Sequence, residues 1–513
     1  MFRTTLLCSL GLTTLSSAAT HNITSIFSSS LSPGAQIFLP SDTNYTEDVT
    51  QRWTTYDAPT YIGAIKPATV KDIQNIVTLA ASNKIPFLAT AGGHGATITY
   101  VNCTNGIEID ISNFNTVSID ASNNTMTVGG AVRFEDIIPP LYEAGKELRM
   151  LPPPPPPSIQ NVYNPYANSN YPATGTAPCV GLVGATIGGG IGNLQGLHGL
   201  ILDSLLSVEL VTPSGDVLIV STSENADLFW AIRGAGANFG IITSATYKIY
   251  NATNNGLAMS ANYLFPASEN RSVWEIFQSF DETLPPELSL TAYSGFNQTT
   301  QEMELIVNAI YYGPKEEGVS YLTNFTALNA TETNLMMVAW PNVTSSMAFG
   351  ADGDACTTGS YLNTWGLGLA ETNIDTYTTF FNELQAFSQA HPDYSGIFVV
   401  DRYSSAAAAA VPANSTSYGY GYRNINSHLL FENSYPSDNS TLDNAVNSFM
   451  RSIRSQFQRT SGFSEMEIYL NYAHGDEGAD VWYSPQHLPK LSQLKSKWDP
   501  DELFSFNYPV PLP

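Results

Sequence analysis

The chain has 513 residues, 43% of them hydrophobic, and a formal net charge of −25 at neutral pH. A chain of this length buries a large core, in two to four units at about 150 residues each. Its acidic balance excludes nucleic acid as a partner, because nothing here could neutralise a phosphate backbone; the absence of C-x-x-C and H-E-x-x-H spacing leaves no metal site.

The opening "MFRTTLLCSLGLTTLSSAAT" has a basic Arg3, a short run rich in Leu and Thr, and small residues ending at Ala18 and Ala19. It reads as a secretory signal over residues 1–19 rather than a membrane span, and no later run is apolar enough to cross a membrane. Export agrees with twelve Asn-x-Ser/Thr sequons, at Asn22, Asn44, Asn102, Asn123, Asn251, Asn270, Asn297, Asn324, Asn329, Asn342, Asn414 and Asn439. We expect a secreted or secretory-pathway protein carrying N-linked glycans. Cys8 leaves with the leader, so Cys103, Cys179 and Cys356 form at most one disulfide and leave one thiol over.

"PATVKDIQNIVTLAASNK" predicts a helix, with Thr69 as N-cap, Asp72 in the first turn, and Val70, Ile73, Ile76, Val77 and Ala80 on one face. "IPFLA" predicts a strand, and "GIEIDIS", with Ile107, Ile109 and Ile111 alternating, a half-buried one. Between them lies "ATAGGHGATITY", which places His94 on a glycine turn. "TMTVGG" predicts a strand and "RFEDIIPPLYEAGK" a helix strained by Pro139 and Pro140. Six consecutive prolines open "LPPPPPPSIQNVYNPYANSNYP", so residues 151–172 read as an insertion.

"LLSVELVTPSGDVLIVS" predicts two strands joined by a Pro-Ser-Gly-Asp turn. "ENADLFWAIRGAGANFGIITSATYKIY" predicts a helix ending at Gly234, a turn and a strand. From Asn251 to Glu465, segments such as "LSLTAYSGF" and "MELIVNAIYY" alternate with helical "TYTTFFNELQAFSQ", as in a second α+β unit. The C-terminal stretch predicts a strand at "EIYLNY", a helix and a proline-rich end. In that strand Tyr469 and Asn471 would share one face, Leu470 and Tyr472 the other.

By their chemistry Gly92, Gly93 and Gly95 form a loop whose amides can approach an anionic ligand. Together "AGGHG", "VGLVGATIGGGIG" and "DLFWAIRGAGANFGII", in this order and spacing, resemble the berberine-bridge-enzyme-like FAD-linked oxidases of the vanillyl-alcohol-oxidase (PCMH-type) superfamily. "YLNY…WDPDELFSFNYPVP" resembles their closing segment. The resemblance spans residues 56–511 apart from the insertion. It implies an α+β fold: a PCMH-type FAD-binding domain of two subdomains over 50–250, a substrate domain over 251–465 with an antiparallel sheet covered by helices, and a segment 466–513 returning to the FAD domain.

The resemblance also implies FAD bound covalently through its 8α-carbon to His94, a bond that requires a neutral imidazole. Cofactor contacts map to Thr90, Gly92, Gly93 and Gly95, to Gly181, Gly184 and Gly188, to Ile242 with Gly240, and to Asn507. Bicovalent members carry a second anchor, a cysteine eleven residues before the glycine triplet. Here that position is Ala177, so a single bond is expected; Cys179, two residues displaced, reads as a small buried residue, with a second anchor as the alternative. Ala96 stands where plant members have a tyrosine, and Val180 at the position that favours oxidases.

The implied catalytic residue is Tyr469. A phenol with an ordinary pKa near 10 is a poor base at neutral pH, so Tyr469 needs a polarising partner, and packing is its alternative role. Tyr420, Tyr422, His428 and Glu432 in "SYGYGYRNINSHLLFENS" are further candidates on the substrate side. The expected function is two-electron oxidation of a small organic molecule, with O2 as acceptor, in tailoring a secondary metabolite. The alternatives are a carbohydrate oxidase and a non-catalytic flavin-binding glycoprotein.

Overall fold

The computed structural model describes residues 22–148 and 177–513. The leader and the proline-rich insertion lie outside the described residues. Three main sheets organise the rest.

The helix Val70–Asn83 forms where expected, and its start shows why. The Thr69 hydroxyl accepts from the Asp72 amide while the Asp72 carboxylate accepts from the Thr69 amide, which satisfies two end groups reciprocally. Ile73, Ile76, Val77 and Ala80 are buried against a four-stranded sheet ordered Gln36–Phe38, Tyr61–Lys66, Gly106–Asp110 and Phe87–Thr90. The last three strands are parallel.

Gly106–Asp110 departs from expectation, because it is buried on both faces rather than one. A parallel strand inside a sheet is covered on each side, and its polar residues must then find internal partners. Asp110 does so, accepting from the amides of Thr50 and Ser112 and from the Thr50 hydroxyl. Burial pushes the Glu108 carboxyl up to about 7, with the neighbouring Thr90 opposing the shift.

The second sheet is antiparallel and ordered Val117–Asp120, Thr125–Gly129, Ile241–Lys248, Leu205–Val211 and Val217–Ser221. The last two are the expected pair around the Pro-Ser-Gly-Asp turn. The helix Phe134–Glu143 keeps both prolines inside it. Ala226–Ala235 loses helical geometry at Arg233 and Gly234, where the sequence places its end.

The third sheet has seven antiparallel strands, ordered Glu332–Ala339, Leu257–Pro266, Glu302–Tyr311, Leu288–Asn297, Ser395–Tyr403, Ser427–Ser434 and Leu362–Leu369. Strand alternation divides its residues cleanly. Leu429, Phe431, Phe398 and Val400 join a core with Trp274, Phe380 and Phe457 from the covering helices Asn270–Ser279, Ile374–Ala390 and Ser440–Arg459. Leu430, Val399 and Ile397 face the opposite core, shared with the second sheet.

The expected C-terminal strand is absent. "EIYLNY" makes a single backbone bond to the seven-stranded sheet, Gly368 N–H to Glu467 O at 2.7 Å, and then turns as a 3₁₀ helix over Leu470–Tyr472. In such a turn residues i and i+3 eclipse, so Tyr469 and Tyr472 share a side instead of opposing. A helix, Ala479–Trp498, follows as expected.

His428 belongs to the same sheet face as Leu430, in register with Asp401, but is wholly buried beneath Tyr469, their rings 5.8 Å apart. Neither ring nitrogen has a partner among the described residues, and burial drives the pKa down to about 3. The unfolded imidazole titrates near 6.5, so below that pH the unfolded chain binds the extra proton and stability falls with acidification. His428→Leu should therefore gain on the wild type as pH drops, by about 2 kcal/mol at about pH 5, in urea unfolding of the apoprotein. A difference that stays constant between neutral and acid pH would contradict this.

Candidate active site

Where the three sheets meet, the chain encloses a cavity of about 300 Å³, within the range of small-molecule and cofactor sites. All three glycine motifs, the turn after Tyr469 and the closing segment line it. Every residue assigned a role from the sequence is on its wall: Thr90, Gly92, Gly93, His94 and Gly95; Gly181, Gly184 and Gly188; Ile242; Tyr469; and Asn507.

The first two motifs meet backbone to backbone. A Cβ on Gly92 would stand 2.6 Å from the Gly181 nitrogen, so no side chain fits between them. The amides of residues 92–96 find no acceptor among the described residues. A run of unsatisfied donors in a glycine turn suits an anionic guest.

His94 stacks on Trp53 with ring centroids 5.5 Å apart, and the Trp53 amide holds the turn by donating to Gly93 O at 3.0 Å. Burial lowers the His94 pKa to about 4, and the guanidiniums of Arg133 and Arg52 push the same way. The imidazole is neutral at physiological pH. Arg52 in turn donates to Gly95 O and lies 4.4 Å over the ring of Tyr100, whose hydroxyl accepts from Asn507 Nδ2 at 2.8 Å. One cation thus joins the first motif to the closing segment.

The second motif is tied to the Tyr469 turn by Asn471. A Cβ on Gly188 would lie 2.1 Å from Asn471 Oδ1, so the glycine is what permits the approach. Asn471 Nδ2 donates to Ala185 O at 3.0 Å and to the Tyr469 hydroxyl at 2.7 Å. Burial raises the Tyr469 pKa to about 12, while the hydrogen bond from Asn471 and the nearby backbone of Ile191 and Gly190 work against it. The polarising partner expected for Tyr469 is therefore a hydrogen-bond donor, Asn471, rather than a cation. Beside it stands Tyr472, ring centroids 4.9 Å apart, donating to Asp401 Oδ2 at 2.8 Å.

Of the four other substrate-side candidates only Glu432 lines the cavity, across the register from Thr364, which also lines it. Tyr420 is exposed, and Tyr422 is buried with its hydroxyl on Val481 O, away from the site. His428 lies below the wall. Sequence reasoning missed Arg52, Trp53 and Asp401, which sit far from the motifs in sequence; the only available signal was for Tyr472, already in the "YLNY" turn.

Ala177, Val180 and Ala96 line the cavity, whereas Cys179 is disulfide-bonded to Cys356. Cys179 is buried, as the first reading of it has it, but its thiol is consumed in the bond, which overturns the alternative of a second anchor; Cys103 is the buried thiol left over. The residues present fit a dinucleotide: unpaired amides for its phosphates, apolar walls for its rings, and open space at Gly184, where a Cβ would meet nothing within 4 Å.

Residues 62–159 match the family described as FAD binding domain, and residues 468–511 the family described as berberine and berberine like. The chain is similar to the FAD-linked oxidoreductase azaL of Aspergillus niger, 94% identical over 97% of this chain and 100% of that protein. In fold it is similar to Physcomitrella patens BBE-like 1, with a TM-score of 0.76 at 21% identity over 96% of this chain and 100% of that one. It is likewise similar to glucooligosaccharide oxidase from Acremonium strictum, with a TM-score of 0.77 at 20% identity over 96% and 99% of the two chains. On the strength of the relatives that run its whole length, together with a cavity built by the three glycine motifs, this chain belongs to the berberine-bridge-enzyme-like FAD-linked oxidoreductases.

Proposed function

We propose that the protein oxidises a small, largely apolar organic molecule by two electrons, with FAD bonded to His94 through its 8α-carbon and O2 as the final acceptor. The observation that carries this reading is one continuous cavity joining a neutral His94 to a tyrosine oxygen that accepts from Asn471 at 2.7 Å. The flavin supplies the hydride acceptor. The chain supplies everything else.

The neutral imidazole of His94 is the nucleophile that a histidyl link needs, and the Trp53 ring fixes its plane. Tyr469 is the group placed to take the substrate proton: the Asn471 hydrogen bond to its oxygen, with the nearby backbone of Ile191 and Gly190, favours the phenolate and so offsets, in part, the burial that opposes it. Tyr472 and Asp401 hold the neighbouring wall through their hydrogen bond. Val180, at the wall where the family's oxidases have a small residue, supports O2 as acceptor.

Leu430, Leu470, Tyr469 and Tyr472 make the substrate end mostly apolar, with Glu432 and Thr364 as its polar groups. That favours tailoring of a secondary metabolite. A carbohydrate oxidase is the second reading, supported by the fold shared with glucooligosaccharide oxidase.

We also propose export with N-linked glycans. Asn22, Asn44, Asn102, Asn123, Asn251, Asn324, Asn329 and Asn414 are exposed, whereas Asn270 is buried and its Oδ1 accepts from Trp274 Nε1 at 2.7 Å. Peptide mapping of protein from a eukaryotic secretory host should find glycans within the exposed group and none at Asn270. A modified Asn270 peptide, or an unmodified chain, contradicts this.

Anaerobic mixing tests the chemistry. Hydroxylated aromatic or allylic compounds should bleach the flavin, and oligosaccharides should not; the reverse pattern selects the carbohydrate reading. Tyr469→Phe should retain fold and flavin and slow bleaching by at least about tenfold. An unchanged rate reduces Tyr469 to packing.

A further inference from the structure

Lys495 and Asp499 lie four residues apart around the end of the helix Ala479–Trp498, a spacing that on an exposed helix makes a weak surface pair. Here both side chains are fully buried, 2.6 Å apart. Removing two charges from water is expensive, and a pair of apolar residues would usually serve stability as well. What the pair supplies is direction.

All three ammonium protons have acceptors: Asp499 Oδ2, Asn238 O at 3.0 Å and Phe504 O at 2.9 Å. Asp499 accepts in turn from the amides of Leu503 and Phe504, each at 2.9 Å. Asn238, at the heart of the third glycine motif, extends the network. Its Nδ2 donates to the Tyr483 hydroxyl at 3.0 Å and to Tyr508 O at 3.2 Å, and its Oδ1 accepts from the Val510 amide at 2.9 Å. Residues 499–513 carry neither helix nor strand, so side-chain anchors such as these hold their backbone.

The connected residues fall on two walls. Asn238 lines the cavity from the third motif, Phe504 and Tyr508 from the closing segment, while Lys495 and Asp499 stand behind both and do not reach it. We infer that Lys495 is a positioning residue for FAD: its ammonium fixes the third glycine motif to the closing segment and so sets the gap that receives the cofactor. This rests on the reading that the cavity holds FAD. Burial lowers the Lys495 pKa while Asp499 opposes the shift, as expected of a charge kept in place by its partner.

Lys495→Met alone leaves the Asp499 carboxylate buried and unpaired, and should not accumulate as folded protein. Lys495→Met/Asp499→Asn removes both charges, so it should fold, with a cooperative melt, yet carry about tenfold less flavin and show altered visible circular dichroism of what remains. Hydrogen exchange of the wild type prepared with and without FAD gives a second measurement, independent of whether the variants fold. The amides of Leu503, Phe504 and Val510 and those of residues 236–241 should gain protection together. A folded double variant with wild-type occupancy and wild-type circular dichroism overturns the inference, and so does protection gained on one wall alone. Wild-type protein that takes up no FAD would instead refute the functional reading, and leaves the two failures distinct.

Discussion

The close approach of Gly92 to Gly181 sets the rest of the site. Two loops from different sheets touch through bare backbone, and any side chain on Gly92 would force them apart. Because they touch, the amides of residues 92–96 lie along a cavity wall without acceptors among the described residues. A protein seldom leaves so many donors unpaired, and a bound anion is what makes the arrangement economical. Trp53 and Arg52 then hold the turn from outside, through Gly93 O and Gly95 O.

The electrostatics of the cavity run against those of the chain. The molecule carries a net charge of −25, yet Arg52 and Arg133 are the charges that act on His94. Their field and burial keep the imidazole neutral. On the opposite side burial keeps Tyr469 protonated, while the hydrogen bond from Asn471 prepares its oxygen for negative charge. Asn471 also bonds the second glycine motif, so the placement of the phenol and of the cofactor wall are mechanically one problem.

Local signals carried well from sequence to structure. Thr69 as N-cap and Asp72 in the first turn announced a helix, which the structure closes with a reciprocal cap, and the glycine motifs announced the cavity because a glycine needed for close approach leaves a mark at its own position. Signals that depend on what lies across the fold did not carry. Gly106–Asp110 looked half-exposed because Glu108 and Asp110 are charged, and only the partners that Thr50 and Ser112 give Asp110 reveal how its burial is tolerated. "EIYLNY" alternates like a strand, but one hydrogen bond to the neighbouring sheet is too little to hold it extended. The Cys179–Cys356 bond spans 177 residues, and Lys495 with Asp499 has the spacing of an ordinary surface pair.

The central claim is that the glycine turn at His94 holds a flavin by a covalent bond to the imidazole. Denaturing the purified protein in acid, digesting it and sequencing the yellow peptide by mass spectrometry tests this most directly. The account predicts one flavinylated peptide, containing His94 and carrying the modification on that residue. Flavin that washes free on denaturation, or a chromophore on any other residue, would contradict it.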